Sequence, residues 1–134
     1  TGTAILTVTG IDERGKVIRE SSASGTSFAG KKAFKTITGI SVSANVTALT
    51  VGTGKVLGLP EFLAGTGEVL RELQDGAAPS AGTIVAGDTA TATATTGDVR
   101  GTYAPAGTPN GTLLFELIAA LRSPEYVGVS QFGG

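Results

Sequence analysis

Residues 4–20 read AILTVTGIDERGKVIRE and contain a complete hairpin signal. Apolar and β-branched residues alternate with polar ones up to Thr9, a polar stretch bounded by Gly10 and Gly15 follows, and residues 16–20 form a second short run. Alternation with a period of two predicts a strand, and a glycine-containing polar turn between two such runs predicts an antiparallel hairpin. We therefore expect this part of the chain to form two paired strands.

The same pattern continues outward from the hairpin through the first half of the chain. Residues 34–43 (FKTITGISVS) show the clearest alternation, and in residues 47–51 (TALTV) the side chains of Leu49 and Val51 fall on one face. Both stretches are predicted strands. Residues 52–60 hold three glycines and Pro60, which exclude a long helix there.

Further strands are predicted in the second half. Residues 68–74 and 83–86 lie on either side of Asp75-Gly76, a dipeptide typical of hairpin turns, so we expect them to pair with each other. Residues 89–95 (TATATAT) predict a strand whose alanine face lets a second sheet or another subunit approach closely. Thr102 and Tyr103 are predicted to start another strand.

Residues 112–122 fit two interpretations. The apolar side chains match a helical stripe, but as a strand they place Leu113, Phe115 and Leu117 on one face. The all-β context favours a strand, in which Glu116 would face water, an arginine or another subunit. The sequence thus predicts an all-β domain over residues 1–122, an antiparallel β-sandwich or barrel of the jelly-roll kind.

The remaining segment, residues 123–134, is predicted to be an extended C-terminal arm. It combines glycines with four spaced apolar or aromatic side chains, Tyr126, Val127, Val129 and Phe132. Extended backbone with anchoring side chains suits a segment that lies along a neighbouring subunit, and Tyr126 and Phe132 are the predicted anchors. The alternative is that this segment completes the core of its own chain.

Composition excludes several classes of function. The 134 residues carry a formal net charge of −1, without the basic excess that binding of nucleic-acid phosphates requires. The chain has neither cysteine nor histidine, so thiolate or imidazole metal sites and nucleophilic cysteines are excluded. No apolar run approaches the roughly 18 residues of a membrane span. The GTG motifs at 52–54 and 65–67 lack the pattern of a phosphate-binding loop and are predicted turns.

Charged residues supply few candidate sites. Acidic residues such as Asp12 and Asp98 are scattered near basic neighbours, which predicts solvated or locally paired charges. The basic cluster consists of Lys31 and Lys32 with Lys35. These lysines would either contact an acidic surface of a partner or keep a strand edge soluble.

Several stretches together resemble small structural proteins of tailed bacteriophages. The resemblance rests on turn and strand signatures at residues 52–60 (GTGKVLGLP), 85–87 (VAG) and 94–105 (ATTGDVRGTYAP), with similar features at 7–10 and 32–38. It implies a capsid decoration (cement) protein on the virion surface, bound over capsomer joints. The implied partners are the major capsid protein and further copies of the chain, a trimer being one arrangement. The resemblance brings no catalytic residue and no cofactor, so a non-enzymatic protein is expected.

Three other functions are compatible with this sequence. A tail-tube or head–tail joining protein would share the same composition. A carbohydrate-binding or adhesin domain is less well supported, because sugar sites usually present aromatic platforms and the chain has two tyrosines, five phenylalanines and no tryptophan. An enzyme ranks last, since no convincing set of catalytic residues is recognisable.

Overall fold

The computed structural model describes residues 3–121 and 128–134. This part of the chain contains eight strands, no α-helix and a short 3-10 turn at Thr66–Glu68. The strands are β1 (Leu6–Ile11), β2 (Val17–Ser21), β3 (Thr36–Val42), β4 (Leu57–Gly58), β5 (Val69–Gln74), β6 (Thr83–Ala86), β7 (Gly101–Ala104) and β8 (Phe115–Ala119).

The strands form three antiparallel sheets. The first sheet has the order β2-β1-β3, the second sheet β4-β7-β6, and the third sheet β5-β8. The predicted all-β, antiparallel class is confirmed, as is the choice of strand over helix within residues 112–122. Each sheet keeps open edges, so the described residues form no closed barrel.

The hairpin of β1 and β2 is confirmed, and its turn is built by one side chain. Asp12 Oδ1 accepts hydrogen bonds from the N–H groups of Arg14 (2.9 Å) and Lys16 (2.8 Å). Gly15 completes the turn with a φ of 77°, a left-handed conformation that glycine adopts without strain. The predicted strand at residues 34–43 is also confirmed, as β3, which pairs with the other side of β1.

The threonine–alanine strand predicted at residues 89–95 is wrong. Thr93 N–H donates to Thr96 Oγ1 (2.9 Å), and the Thr96 hydroxyl donates to the Thr93 carbonyl (3.1 Å), which closes a local turn. Such side-chain bonds compete with a ladder for the same backbone groups. Near this turn, the Ala94 carbonyl accepts a 2.7 Å hydrogen bond from Ser21 N–H, so the segment lies against the edge of β2.

The strand predicted at residues 47–51 is not formed either. These residues pair with no strand of the described chain, and Leu49 and Val51 are each nearly half exposed. A stretch with strand propensity forms a strand only when its backbone pairs with a sheet edge, so propensity alone does not produce a strand.

Strands β5 and β6 exist as predicted, but their predicted pairing is wrong. The Asp75-Gly76 turn closes a single bridge between Gln74 and Ala77 and goes no further. Pro79 then interrupts any ladder, because it lacks an N–H. Asp75 instead exchanges hydrogen bonds with Leu114, through its own N–H and its side chain, so that β5 pairs with β8 and β6 pairs with β7.

Buried polar bonds join the three sheets around a small apolar core. Arg100, just before β7, donates to Asp12 Oδ2 at the end of β1 (2.9 Å) and so ties the second sheet to the first. Tyr103 of β7 donates its hydroxyl to Glu72 Oε2 of β5 (2.9 Å) and ties the second sheet to the third. The buried apolar side chains of the described residues are Ala4, Val8, Ile18, Phe62, Leu63, Val99 and Tyr103.

The link between Tyr103 and Glu72 predicts an alkaline transition. Burial, the hydrogen bond to Glu72 and the Glu72 charge raise the pKa of Tyr103 from 10.0 to about 12. The contribution of Tyr103 to stability is therefore complete below pH 10 and is lost as the pH rises to about 12. We expect tyrosinate absorbance to show a step near pH 12 that disappears in Tyr103→Phe. If Tyr103→Phe leaves the titration of the folded protein unchanged, the bond does not form.

Candidate interaction surface

Five charged side chains that are almost fully buried define the buried charged cluster: Asp12, Glu20, Lys32, Asp98 and Arg100. Arg100 is its centre, because its guanidinium donates to Asp12 Oδ2 (2.9 Å) and to the Leu59 carbonyl (3.0 Å). The Arg100 N–H also donates to Asp98 Oδ1 (2.9 Å). The prediction that acidic residues are solvated or paired only locally is wrong here, since Asp12 and Arg100 stand 88 positions apart in sequence.

The remaining carboxylates of the cluster hold the loop that contains the predicted lysines. Glu20 accepts hydrogen bonds from the N–H groups of Lys31 (2.6 Å) and Lys32 (3.2 Å). Asp98 Oδ2 accepts from the Ala33 N–H (3.0 Å). Burial raises the pKa of Glu20, and the two N–H donors offset part of that effect. These carboxylates therefore bind the chain's own backbone, as structural anchors do.

Lys32 does not lie at the surface. Its residue is 6% exposed, and its ammonium has no hydrogen-bond partner among the described residues. The prediction that it keeps a strand edge soluble is wrong, because Glu20 draws the Lys32 backbone, and with it the side chain, into the interior. Burial lowers the pKa of Lys32, and the nearby charges of Glu20 and Asp98 offset part of that effect.

Replacing Lys32 with methionine is expected to stabilise the protein. Methionine keeps the length of the side chain and removes a buried charge that makes no hydrogen bond, a gain of about 1–3 kcal/mol. Because the pKa of Lys32 is lowered, the gain is largest at neutral pH, shrinks as the pH rises through the folded-state pKa, and is gone above 10.5, where the lysine becomes neutral in the unfolded chain as well. Urea denaturation measures this gain in the free energy of unfolding.

Lys35→Met is the matched control for Lys32→Met. Lys35 forms an exposed ion pair with Glu13 (3.2 Å), so its replacement should change stability by less than about 1 kcal/mol. A loss of stability in Lys32→Met would mean that the ammonium has a partner in solution.

The surface area of the chain is large, and thirteen large apolar side chains of the described residues are exposed. The chain exposes 8016 Å², whereas a compact monomer of 13.2 kDa exposes about 6400 Å². The excess is about twice the ~800 Å² that each partner buries in a standard interface. The exposed large apolar side chains are Ile5, Val17, Ile37, Ile40, Leu49, Val51, Val56, Leu57, Leu70, Val85, Leu114, Ile118 and Leu121.

Two groups of these exposed side chains lie on the first and third sheets, and Leu57 and Val85 lie on the second. One lies on and around the first sheet, where β3 presents Ile37 and Ile40 and the following segment presents Leu49. Beside it, an apolar groove of about 410 Å³ opens between residues 46–50 and the loop at residues 25–28. The other lies on the third sheet, where Ile118 of β8 stands opposite Arg71 of β5.

The predicted interface residues have different positions. Lys31 is exposed next to β2, and Val129 and Phe132 are half-buried. The Phe132 carbonyl accepts a 2.7 Å hydrogen bond from Arg19 N–H, so this end of the chain lies against its own β2. Tyr126 and Val127 lie outside the described residues. A role of these residues in binding a partner stays a prediction.

The exposure of the apolar residues of β3 was not predicted from the sequence. Alternation identified the strand correctly, but β3 is exposed along nearly its whole length instead of on one face. The available signal was the composition of residues 36–42, which contain no charged side chain to cover or protect an edge.

Residues 3–121 and 128–134 offer neither a metal site nor a membrane-spanning helix. There, no group of three or more acidic residues is placed to hold a metal ion. No helix in these ranges has the length and apolar character needed to cross a membrane.

Comparison with known proteins identifies no relative of this chain. No family model, no curated protein and no solved structure matches it. The surface and the sequence pattern are therefore the basis for a functional proposal.

Proposed function

We propose that this chain is a non-enzymatic structural subunit that works in contact with other subunits of a larger assembly. The observation that carries the proposal is the exposed surface, about 1600 Å² larger than a compact monomer of this mass needs. Exposed valine, leucine and isoleucine side chains outnumber the buried apolar ones among the described residues. Apolar side chains exposed in this number suit contacts with other subunits.

The assembly in this proposal is the head of a tailed bacteriophage, as the sequence resemblance implies. The chain would be a decoration protein that binds the major capsid protein over capsomer joints of the expanded head. A subunit that binds only the expanded lattice stabilises it by mass action, and many copies make modest contacts sufficient. A β-sandwich arrangement of the sheets and a C-terminal arm over residues 123–134 belong to the same proposal.

Sedimentation with phage heads tests the location. Purified chain is mixed with expanded heads that lack it, from the phage whose genome encodes it, and unexpanded heads and isolated tails serve as matched controls. Co-sedimentation with expanded heads and a rise in their melting temperature are expected. Binding to tails alone would favour the tail-tube or head–tail joining role, and binding to neither particle would overturn the virion proposal.

A truncation after Arg122 tests the arm. If residues 123–134 act as an arm, the shortened chain stays folded and loses affinity for heads. The truncation also removes Phe132, whose carbonyl accepts a hydrogen bond from Arg19 N–H of β2. Loss of this bond uncovers the edge of β2, which would be the physical reason for a failure to fold. Failure of the truncated chain to fold would assign the segment to the core.

A further inference from the structure

The two edges of the first sheet differ in how they are covered. At the β2 edge, Arg19 N–H donates to the Phe132 carbonyl and Ser21 N–H donates to the Ala94 carbonyl, both at 2.7 Å. At the β3 edge, no backbone of the described chain pairs with the outer side. The first sheet therefore has one edge covered by its own chain and one open edge.

The backbone groups at the open edge can be identified. Lys35 and Ser43, which flank β3, donate their N–H groups inward, to the carbonyls of Ile11 and Ile5. Alternation along an antiparallel ladder then turns the N–H and C=O groups of Ile40 and Val42 outward. Natural sheets usually protect such edges with charges or proline, and residues 36–42 contain neither.

The segment that follows β3 contains a strand-like stretch that has no pairing partner within the described residues. Residues 47–51 (TALTV) have the sequence of a strand, yet they pair with no strand of the described chain. Residues 46–50 lie beside the loop at 25–28, where they line the apolar groove, instead of folding back along β3 of the same chain. Leu49 and Val51 are each nearly half exposed, at 49% and 45%.

We infer that residues 47–51 of one copy add as an antiparallel strand to the open edge of β3 in a second copy. The favoured register sets Leu49 opposite Ile40, so that two exposed apolar side chains meet on one face. The inference rests on the proposed role as a subunit of a larger assembly and is independent of the location on a phage head. The partner is another copy of this chain, and the two surfaces that meet are residues 47–51 and the open edge of β3.

The size of the exposed surface favours this arrangement over pairing of β3 with β3. In a contact between two different surfaces, each copy uses both residues 47–51 and its β3 edge. At standard interface size, these two surfaces together bury about 1600 Å² per copy. The excess surface of this chain is of that size. Contacts of this head-to-tail kind close into rings or continue as a lattice.

Cysteine pairs test the register directly, because the native chain contains no cysteine. In the inferred register, Ser41 faces Ala48 in a non-hydrogen-bonded pair, where Cα atoms lie about 4.5 Å apart, close enough for a disulfide. We mix Ser41→Cys chains with Ala48→Cys chains under mild oxidation and measure the mixed dimer by mass spectrometry. Mixing Ser41→Cys with Glu116→Cys, an exposed position on the third sheet, is the matched control.

The mixed Ser41–Ala48 dimer is expected in several-fold excess over the control pair. Predominance of dimers linked through Ser41→Cys alone would mean that β3 pairs with itself, and equal yields in the test and control mixtures would mean random contact. Either result overturns the inference. Neither the test mixture nor the control mixture contains phage heads. A failure to bind heads therefore remains distinguishable from a failure of residues 47–51 to pair with β3 of a second copy.

Association of the unlinked protein is the second measurement. Light scattering over a concentration series is expected to detect oligomers, and Ile40→Lys should weaken association by about tenfold or more, because it places a charge at the edge and removes an apolar contact. Leu70→Lys makes the same change at another exposed position, on the third sheet, and should leave association unchanged. A monomer at every concentration, or equal effects of both variants, would overturn the inference.

Discussion

Replacing Arg100 with alanine is expected to lower the free energy of unfolding by about 3–5 kcal/mol. The side chains of Arg100 and Asp12 are 8% and 0% exposed, so the substitution leaves a buried carboxylate without its counter-ion. The Leu59 carbonyl loses its donor as well. Because this ion pair ties the second sheet to the first, we expect a large loss, measurable by urea denaturation at neutral pH.

The acid dependence of this loss follows from Asp12. Burial favours the neutral form, but hydrogen bonds from Lys16 N–H and Arg100 outweigh it and hold the pKa of Asp12 below 3.8. A lowered pKa contributes stability that is present above pH 3.8 and is lost as the pH falls through the folded-state value. The penalty of Arg100→Ala should therefore shrink in acid.

Arg14→Ala is the control for burial. Arg14 forms an ion pair with Glu61 at the same distance, 2.9 Å, but the two side chains are 42% and 60% exposed. We expect a loss below about 1 kcal/mol. The double variant Asp12→Asn with Arg100→Met keeps an acceptor for the turn and removes both charges, so it should recover much of the loss. Equal losses in Arg100→Ala and Arg14→Ala would contradict the role of burial.

Local patterns were sufficient to predict most strands. The hairpin of β1 and β2 and the strand β3 follow from alternation and from turn residues such as Gly15, which act within a few positions. Strand partners depend on contacts between residues far apart in sequence, and the predicted pairing of β5 with β6 was wrong for that reason. The Asp75-Gly76 turn is real, yet hydrogen bonds to Leu114 decide the partner of β5.

The charged cluster could not be predicted for a similar reason. Asp12 has a local signal, an acidic residue placed to bond the next backbone N–H groups in a turn. Nothing near Asp12 indicates that its ion-pair partner is Arg100 or that both are buried. The same holds for Lys32, whose neighbours Lys31 and Lys35 are exposed. Burial of a charge is a property of the assembled sheets and leaves no periodic mark in the sequence.

Gly10→Ala is expected to destabilise the protein by about 3 kcal/mol, although it adds a single methyl group. Gly10 lies in the central strand β1, where the pairing with β3 is irregular. A Cβ atom there would overlap the Thr36 carbonyl oxygen and lie 2.8 Å from Phe34 Cδ1 and 3.1 Å from Ile37 Cα. Two of these three atoms belong to the backbone, so β3 itself must move. Thermal and urea unfolding measure the loss.

Gly39→Ala separates close packing from the general effect of glycine in a strand. Gly39 stands in the same ladder, opposite Thr9, but no atom lies within 4 Å of the position that its Cβ would occupy. Alanine there restricts the unfolded chain and should be neutral or stabilising by up to about 1 kcal/mol. Opposite effects at these two glycines would mean that Gly10 is required by the approach of β3 to β1. Equal losses would instead assign both glycines to backbone flexibility, and the packing of the first sheet would then tolerate a side chain at its centre.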